Sequence, residues 1–169
     1  MARVHLSLRH STSAGRSYPR LYARAAFGRW PVPVDCIVDT GSPHPILPWR
    51  LWRDIADVRA TVGLDAAPTP LPSFDVAGRR YSYRWGRLPV TLLDWAGGPP
   101  LPPVRVLCLL CVARLDASSL PELPAPVLGL GGGLFDGRYL TLTPGPATAA
   151  WVQDVPPAPQ SSAPAAGSL

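Results

Sequence analysis

The chain of 169 residues is long enough for one domain, and with 47% apolar against 16% charged residues it can bury a core. Its 23 prolines and 15 glycines exclude a coiled coil or a bundle of long helices, since proline is costly inside a helix. The net charge of +5 reflects 16 arginines scattered without an accompanying aromatic–basic module, so we expect a solvated basic surface and no nucleic-acid partner.

Location and metal content can also be predicted. No run of eighteen apolar residues occurs, so neither a transmembrane helix nor a membrane partner is expected. Residues 1–20 lack the apolar region of a secretory signal, which favours a cytoplasmic location. In that setting Cys36, Cys108 and Cys111 are expected to be buried and reduced. Cys108 and Cys111 have the spacing of half a zinc site, but no second pair exists, so no metal and no cofactor are predicted.

The first half of the chain predicts strands and one helix. Residues 1–19 are interpreted as a basic extension with a short strand at 4–8. Residues 21–27 alternate in polarity and 34–38 are apolar, which together predict a hairpin. Residues 48–59 predict the one short helix, because their tryptophans and the following apolar residues recur at helical spacing. We interpret that tryptophan face as core packing.

The second half predicts further strands. Aromatic and polar residues alternate over 74–86, residues 88–93 continue as a strand, and 104–112 form an apolar run typical of a buried strand. A last short strand is predicted at 138–143. Residues 144–169 are rich in proline, alanine and serine and are predicted to be a disordered tail. Six to eight strands with one helix predict an all-β fold, a small barrel or sandwich.

The most informative segment is Asp39-Thr40-Gly41-Ser42, which follows the apolar strand Cys36–Val38. A carboxylate at the end of a buried strand is unfavourable unless hydrogen bonds hold it. Thr40 and Ser42 offer hydroxyls, and Gly41 lets the backbone approach the carboxylate closely. The segment therefore predicts a held and functional acid. An aspartate that only caps its own turn is the alternative.

This segment resembles the active-site loop of aspartic proteases, in which apolar residues precede Asp-Thr-Gly-Ser. A second element of that family, two apolar residues and a glycine, is matched by Val127-Leu128-Gly129. Between the two elements the family has a glycine-containing hairpin, the flap, that folds over the substrate. The order and spacing are similar to the single-domain retropepsin-like type over residues 20–143. The flap candidates are Gly78, Tyr81, Tyr83, Trp85 and Gly86.

The resemblance implies a small closed β-barrel of the acid-protease type and an endopeptidase acting on proteins or peptides. Because only one Asp-Thr-Gly occurs, it implies a homodimer in which Asp39 of each subunit supplies one carboxylate. It further implies that Thr40 bonds across the two-fold axis, that Ser42 hydrogen-bonds the carboxylate, and that the final strand contributes to dimerisation. No cofactor is implied.

The sequence departs from the family after the motif, where Pro43 and Pro45 flank His44 in place of an apolar strand. After Gly129 the run 130–133 is a poor helix former where the family has a helix. We interpret His44 as a surface residue rather than a proton carrier, and the glycine run as a turn rather than a nucleotide loop. A glycosidase pair of Asp35 with Asp39 is disfavoured. Two classes stay open: an active peptidase, or a silent module of the same fold that acts in binding or assembly.

Overall fold

Strands make up 57% of the structure, a computed structural model that describes residues 3–13, 15–29, 32–76, 79–112, 125–143 and 149–155. The all-β prediction is confirmed. The strands of the described residues are β1 (Arg3–Ser13), β2 (Arg16–Phe27), β3 (Pro33–Asp39), β4 (Ile46–Leu47), β5 (Gly63–Leu64), β6 (Ser73–Val76), β7 (Arg79–Leu93), β8 (Val104–Cys111), β9 (Val127–Gly129), β10 (Arg138–Thr143) and β11 (Ala149–Asp154).

Six of these strands pair in a closed ring. Its order is β2, β3, β9, β4, β8 and β7, and β7 pairs back to β2. The pairs β3–β9 and β4–β8 are parallel, whereas the other four pairs of the ring are antiparallel. The predicted hairpin of residues 21–27 and 34–38 is confirmed as β2 and β3, and the predicted buried strand at 104–112 is confirmed as β8.

The main core is made by side chains that alternate along the ring strands and by apolar residues of β1 and β11. In β8 successive residues of the second half are all buried, because both faces of that half are covered. Phe27, Leu88 and Val106 are completely buried there. All three cysteines are buried thiols, as predicted.

The predicted helix at 48–59 is two short pieces. A π-helical turn spans Arg50–Asp54 and α1 spans Ala56–Thr61, with extended backbone between them at Ile55 (φ −82°, ψ 111°). The break lets Ile55 pack against the main core, while Trp52 is only 2% exposed and donates its Nε1–H to the carbonyl of Cys111 at 2.7 Å. Within the described ranges, no helix is long and apolar enough to cross a bilayer.

Both predicted flanks contain more structure than the sequence indicated. The strand expected at 4–8 is β1, which extends over Arg3–Ser13, and the tail predicted to be disordered contains β11. β11 pairs with β1 on one side and β10 on the other, and it buries Ala150 and Val152. The prediction for this part of the tail was wrong, because one of the two partners of β11, β1, lies about 150 residues away along the chain. Residues 144–148 and 156–169 lie outside the described ranges.

Candidate functional site

The candidate site is built around Asp39, the last residue of β3. Its strand neighbour Val38 is buried, whereas Asp39, Thr40 and Gly41 are exposed. The backbone N–H of Gly41 donates to Asp39 Oδ1 at 2.9 Å, and the N–H of Ser42 donates to the Asp39 carbonyl at 3.2 Å. The chain therefore leaves the strand in a tight turn that fixes one carboxylate oxygen. This is also the hydrogen bond that a turn-capping aspartate makes.

The second sequence element lies directly beside the first. β3 and β9 are parallel, with Val38 opposite Leu128 and Asp39 opposite Gly129. A Cβ at Gly129 would lie 2.5 Å from the carbonyl oxygen of Ser42 and 2.6 Å from the backbone of His44. Glycine is therefore required for β9 to approach the Asp39 loop. The structure thus brings together two motifs that are about ninety residues apart in sequence.

Ser42 fixes the loop from inside. It is buried, its hydroxyl donates to the carbonyl of His44 at 2.7 Å, and its own carbonyl accepts from the N–H of Leu130 at 3.1 Å. The hydroxyl was predicted to hydrogen-bond the Asp39 carboxylate, and that prediction was wrong. The loop bends at residues 43 and 44, and the hydroxyl meets a backbone carbonyl there. Ser42 therefore orders the Asp39 loop without touching its carboxylate.

The glycine run after β9 is a packed turn over residues 130–137. A Cβ at Gly131 would overlap the carbonyl oxygen of Pro43, and Gly132 and Gly133 have φ of 78° and 97°, values that favour glycine. The run 130–133, which was predicted to be a poor helix former, lies in this turn. The glycines therefore serve close packing against the segment that follows Asp39, in agreement with their interpretation as a turn.

The segment predicted to be the flap contains the hairpin of β6 and β7, in which Val76 pairs with Arg79. The flap candidate Gly78 lies outside the described residues. Three flap candidates, Tyr81, Tyr83 and Trp85, form an aromatic series with Phe74, with ring centroids 5.6 to 5.7 Å apart between successive members. This series packs on a second apolar cluster of Ile46, Leu109, Cys111 and Val127. The hairpin thus begins beside the strands that carry the site.

The last flap candidate, Gly86, allows two strands to approach closely. A Cβ there would overlap the side chain of Leu110 and would lie 3.2 Å from the carbonyl oxygen of Gly63. Gly86 pairs with Cys108 on β8 and with Leu64 on β5. Its position therefore has a packing reason within the sheet.

His44 differs from the sequence interpretation. It was expected on the surface of a Pro-His-Pro turn, but it is half-buried and its ring meets Trp85 edge-on at 4.9 Å between centroids. Its Nδ1 is buried and has no hydrogen-bond partner in the described chain. The signal available in the sequence was the pair of prolines that flank His44, since proline restricts its own backbone and that of the preceding residue. His44 links the Asp39 loop to the hairpin.

Asp35, the other acid of β3, is engaged elsewhere on the surface. Asp35 lies on β3 four residues before Asp39, but it forms ion pairs with Arg9 at 2.8 Å and with Arg24 at 3.5 Å. It therefore belongs to a surface charge cluster, which disfavours the glycosidase pair. No group of three metal-ligating side chains occurs in the described part of the chain. Burial raises the pKa of the Cys36 thiol, as does the charge of Asp35, and burial raises that of Cys108 to about 12.

In the comparisons with known proteins, the chain matches solved structures. No family model and no curated protein matches the chain. Among solved structures, the chain is similar to a retropepsin-like aspartic protease from Rickettsia conorii, with 11% sequence identity and a TM-score of 0.46 over 89% of this chain and 93% of that one.

Proposed function

We propose that this chain is an aspartic endopeptidase that acts as a homodimer, and that its closed ring of strands is a barrel of the acid-protease type. One observation carries the proposal: an exposed carboxylate, Asp39, stands at the end of a buried strand in a loop locked against Gly129. A carboxylate that only capped a turn would not need the second motif at its side. The Asp-Thr-Gly-Ser segment and this placement together favour catalysis.

The chemistry requires two such carboxylates. When two Asp39 side chains face each other across a two-fold axis, like charge prevents both from ionising easily, and the pair shares one proton. The ionised member removes a proton from a bound water, which attacks the peptide carbonyl. The protonated member donates its proton to the carbonyl oxygen as the tetrahedral intermediate forms. A single chain with one such loop cannot perform this step.

Rigidity of the loop supports this role. The hydrogen bonds of Gly41 and Ser42 and the close approach of Gly129 fix the turn from three sides. Preorganised groups do not need to be ordered during the reaction, which lowers the barrier. Thr40 and Gly41 stay exposed, so the loop can meet its copy from a second subunit. We assign Thr40 the contact across the axis.

The hairpin of β6 and β7 suits an extended peptide as substrate. Its aromatic series and the cluster around Ile46 form an apolar wall that reaches the Asp39 loop through His44 and Trp85. Apolar surface beside a reactive carboxylate binds the side chains of a peptide and excludes water. Unfolded proteins or peptides with apolar residues at the cleavage point are therefore the proposed substrates.

The decisive experiment compares Asp39→Asn with Asp35→Asn. The two aspartates share one strand, but Asp35 is bound to surface arginines. Cleavage of an unfolded protein or a peptide library is measured by mass spectrometry at mildly acidic to neutral pH. We expect Asp39→Asn to remove nearly all activity and Asp35→Asn to retain it.

Circular dichroism and sedimentation of the same variants check that the fold and the subunit association persist. Equal cleavage by wild type and Asp39→Asn would overturn the assignment of Asp39. An inactive wild type that forms a dimer would favour the alternative function, a silent module that acts in binding or assembly. Because the Ser42 hydroxyl is turned away from the carboxylate, that alternative has a specific observation behind it.

A further inference from the structure

The outer face of β2 alternates aromatic and basic side chains. They are Tyr18, Arg20, Tyr22 and Arg24. The residues between them belong to the opposite face, since Ala23 and Ala25 are buried in the main core. Arg9 of β1 lies directly across from Arg20, so its side chain is on the same outer face. Residues that are scattered along the sequence therefore form one surface.

Trp95 joins this surface from the connection after β7. Its backbone N–H donates to the carbonyl of His5 at 3.4 Å, which places Trp95 beside β1. The guanidinium carbon of Arg24 lies 3.9 Å from the centre of the Trp95 ring, and that of Arg9 lies 4.7 Å from it. Two arginines from different strands thus stack on a single tryptophan. The ring therefore helps to order both guanidinium groups.

Two tyrosines contact the arginines in the same way. The guanidinium carbon of Arg9 lies 4.8 Å from the centre of the Tyr22 ring, and that of Arg20 lies 4.9 Å from the centre of the Tyr18 ring. Arg20 also donates to the Tyr18 hydroxyl at 3.0 Å. A guanidinium group that stacks on a ring presents N–H groups at its edge to other acceptors. We name this set of residues the arginine–aromatic face: Arg9, Tyr18, Arg20, Tyr22, Arg24 and Trp95.

The arginine–aromatic face carries more positive than negative charge. In the part of the chain that the structure describes, Asp35 is the acid that pairs with it, at 2.8 Å from Arg9 and 3.5 Å from Arg24. Three arginines against this aspartate leave an excess of positive charge. The side chains of Arg9 and Arg24 are 41% and 39% exposed, so a ligand can reach their N–H groups. The excess charge favours an anionic partner.

We propose that the arginine–aromatic face binds single-stranded nucleic acid. Arginine N–H groups bind phosphate oxygens, and unpaired bases stack on aromatic rings and on guanidinium planes. Arginines that are scattered in sequence predict no nucleic-acid partner, but the fold places three of them beside three aromatic rings on one sheet. This inference is independent of the proposed function.

Two other anionic partners fit this face less well. The carboxylates of an acidic peptide would gain from the arginines, but they do not stack on the rings that accompany each arginine. A duplex keeps its bases stacked inside, where the half-buried rings of Tyr22 and Trp95 cannot reach them. A single strand presents phosphates and unpaired bases to the same surface. The pairing of each arginine with a ring therefore favours the single strand.

Fluorescence anisotropy of labelled oligonucleotides tests the proposal on the full chain. The probes are oligouridylate and oligothymidylate of about 12 nucleotides, a length within the site sizes of single-strand-binding proteins. With three phosphate contacts, the logarithm of the association constant should fall with the logarithm of the salt concentration with a slope of about −2. Affinity should therefore drop about 15-fold between about 50 and 200 mM salt. The probe that binds more tightly identifies RNA or DNA as the partner.

Substitutions separate this face from the general basic charge of the chain. Arg24→Gln is expected to weaken binding about tenfold, because it removes a charged hydrogen-bond donor. Arg87→Gln is the matched control, because it removes the same charge from an exposed arginine that pairs with Asp65 at 3.0 Å, and it should weaken binding less than about twofold. Asp35→Asn is expected to strengthen binding about threefold, since it removes a negative charge beside Arg9 and Arg24. Circular dichroism shows whether each variant is folded.

Two competitors without bases, oligoglutamate and polyphosphate, complete the test. The proposal predicts that neither displaces the oligonucleotide at an equal concentration of charge. Displacement by oligoglutamate would assign the face to an acidic peptide, and displacement by polyphosphate would reduce it to an anion-binding surface without base recognition. Absence of binding by wild type at low salt, equal weakening by Arg24→Gln and Arg87→Gln, or weaker binding by a folded Asp35→Asn would each overturn the proposal.

Discussion

Asp94 is expected to be one of the main electrostatic supports of the fold. It follows β7, its side chain is 3% exposed, and its carboxylate accepts from the backbone of His5 at 2.6 Å and of Gly98 at 2.7 Å. The His5 ring adds a contact at 2.9 Å. Asp94 therefore ties β1 to the connection between β7 and β8. Asp94→Asn removes the charge while preserving the shape of the side chain.

The size of the effect follows from the pKa of Asp94. Burial alone would raise it, but hydrogen bonds from the backbone of His5, Gly98 and Ala96 and from the His5 ring lower the pKa from 3.8 to about 2. One pKa unit corresponds to about 1.4 kcal/mol. The ionised carboxylate therefore stabilises the folded state by about 2 kcal/mol, fully above pH 4. As the pH falls from 4 towards 2, this stabilisation is lost.

Urea unfolding at fixed protein concentration measures the effect. Asp94→Asn is expected to lower the free energy of unfolding by about 2 kcal/mol at pH 7, with the urea dependence unchanged. The difference from wild type should shrink towards pH 2, where wild type also loses the charge. Asp75→Asn is the control, because Asp75 is 60% exposed and meets Arg80 only at 3.4 Å. A variant as stable as wild type at pH 7, or a difference independent of pH, would refute this reasoning.

Two further substitutions test the packing of the site and the core. Gly129→Ala is expected to lower the free energy of unfolding by more than about 2 kcal/mol and to abolish peptide cleavage, because the added Cβ would collide with the backbone of the Asp39 loop. Gly97→Ala is the control, because Gly97 has φ 81° and open space around it. This control should lower the free energy of unfolding by about 1 kcal/mol and preserve cleavage. Trp52→Phe is expected to lower the free energy of unfolding, measured in urea, by about 2–3 kcal/mol, since it removes a buried hydrogen bond and leaves a cavity. Trp49 is only half-buried, so Trp49→Phe should lower this free energy by less.

Local patterns in the sequence predict the centre of the fold well. Alternating polarity and turn residues, which act over a few neighbours, predict the hairpin of β2 and β3, the buried strand β8 and the strand β10. The Asp39 motif and the 127–129 element were identified as partners from the resemblance alone. Their parallel pairing is a contact between distant segments, which no local pattern contains.

The differences between the sequence predictions and the structure also arise from contacts that no local pattern contains. The predicted helix is interrupted because the extended backbone at Ile55 lets that residue reach the core, which outweighs the helical spacing of its neighbours. β11 was missed because one of its two partners, β1, is about 150 residues away along the chain. The hydroxyl of Ser42 and the ring of His44 were misplaced because Pro43 and Pro45 direct the loop back onto itself.

The pairing of β1 with β11 has a consequence for how the protein is made. Val4 and Val152 are opposite each other although about 150 residues separate them along the chain. During synthesis the first half of β1 cannot pair with β11 until β11 has left the ribosome. Contacts of such high sequence separation slow folding, since the entropy of closing a long loop is lost before the contacts can form. The pairing of β1 with β11 should therefore be a late step of folding.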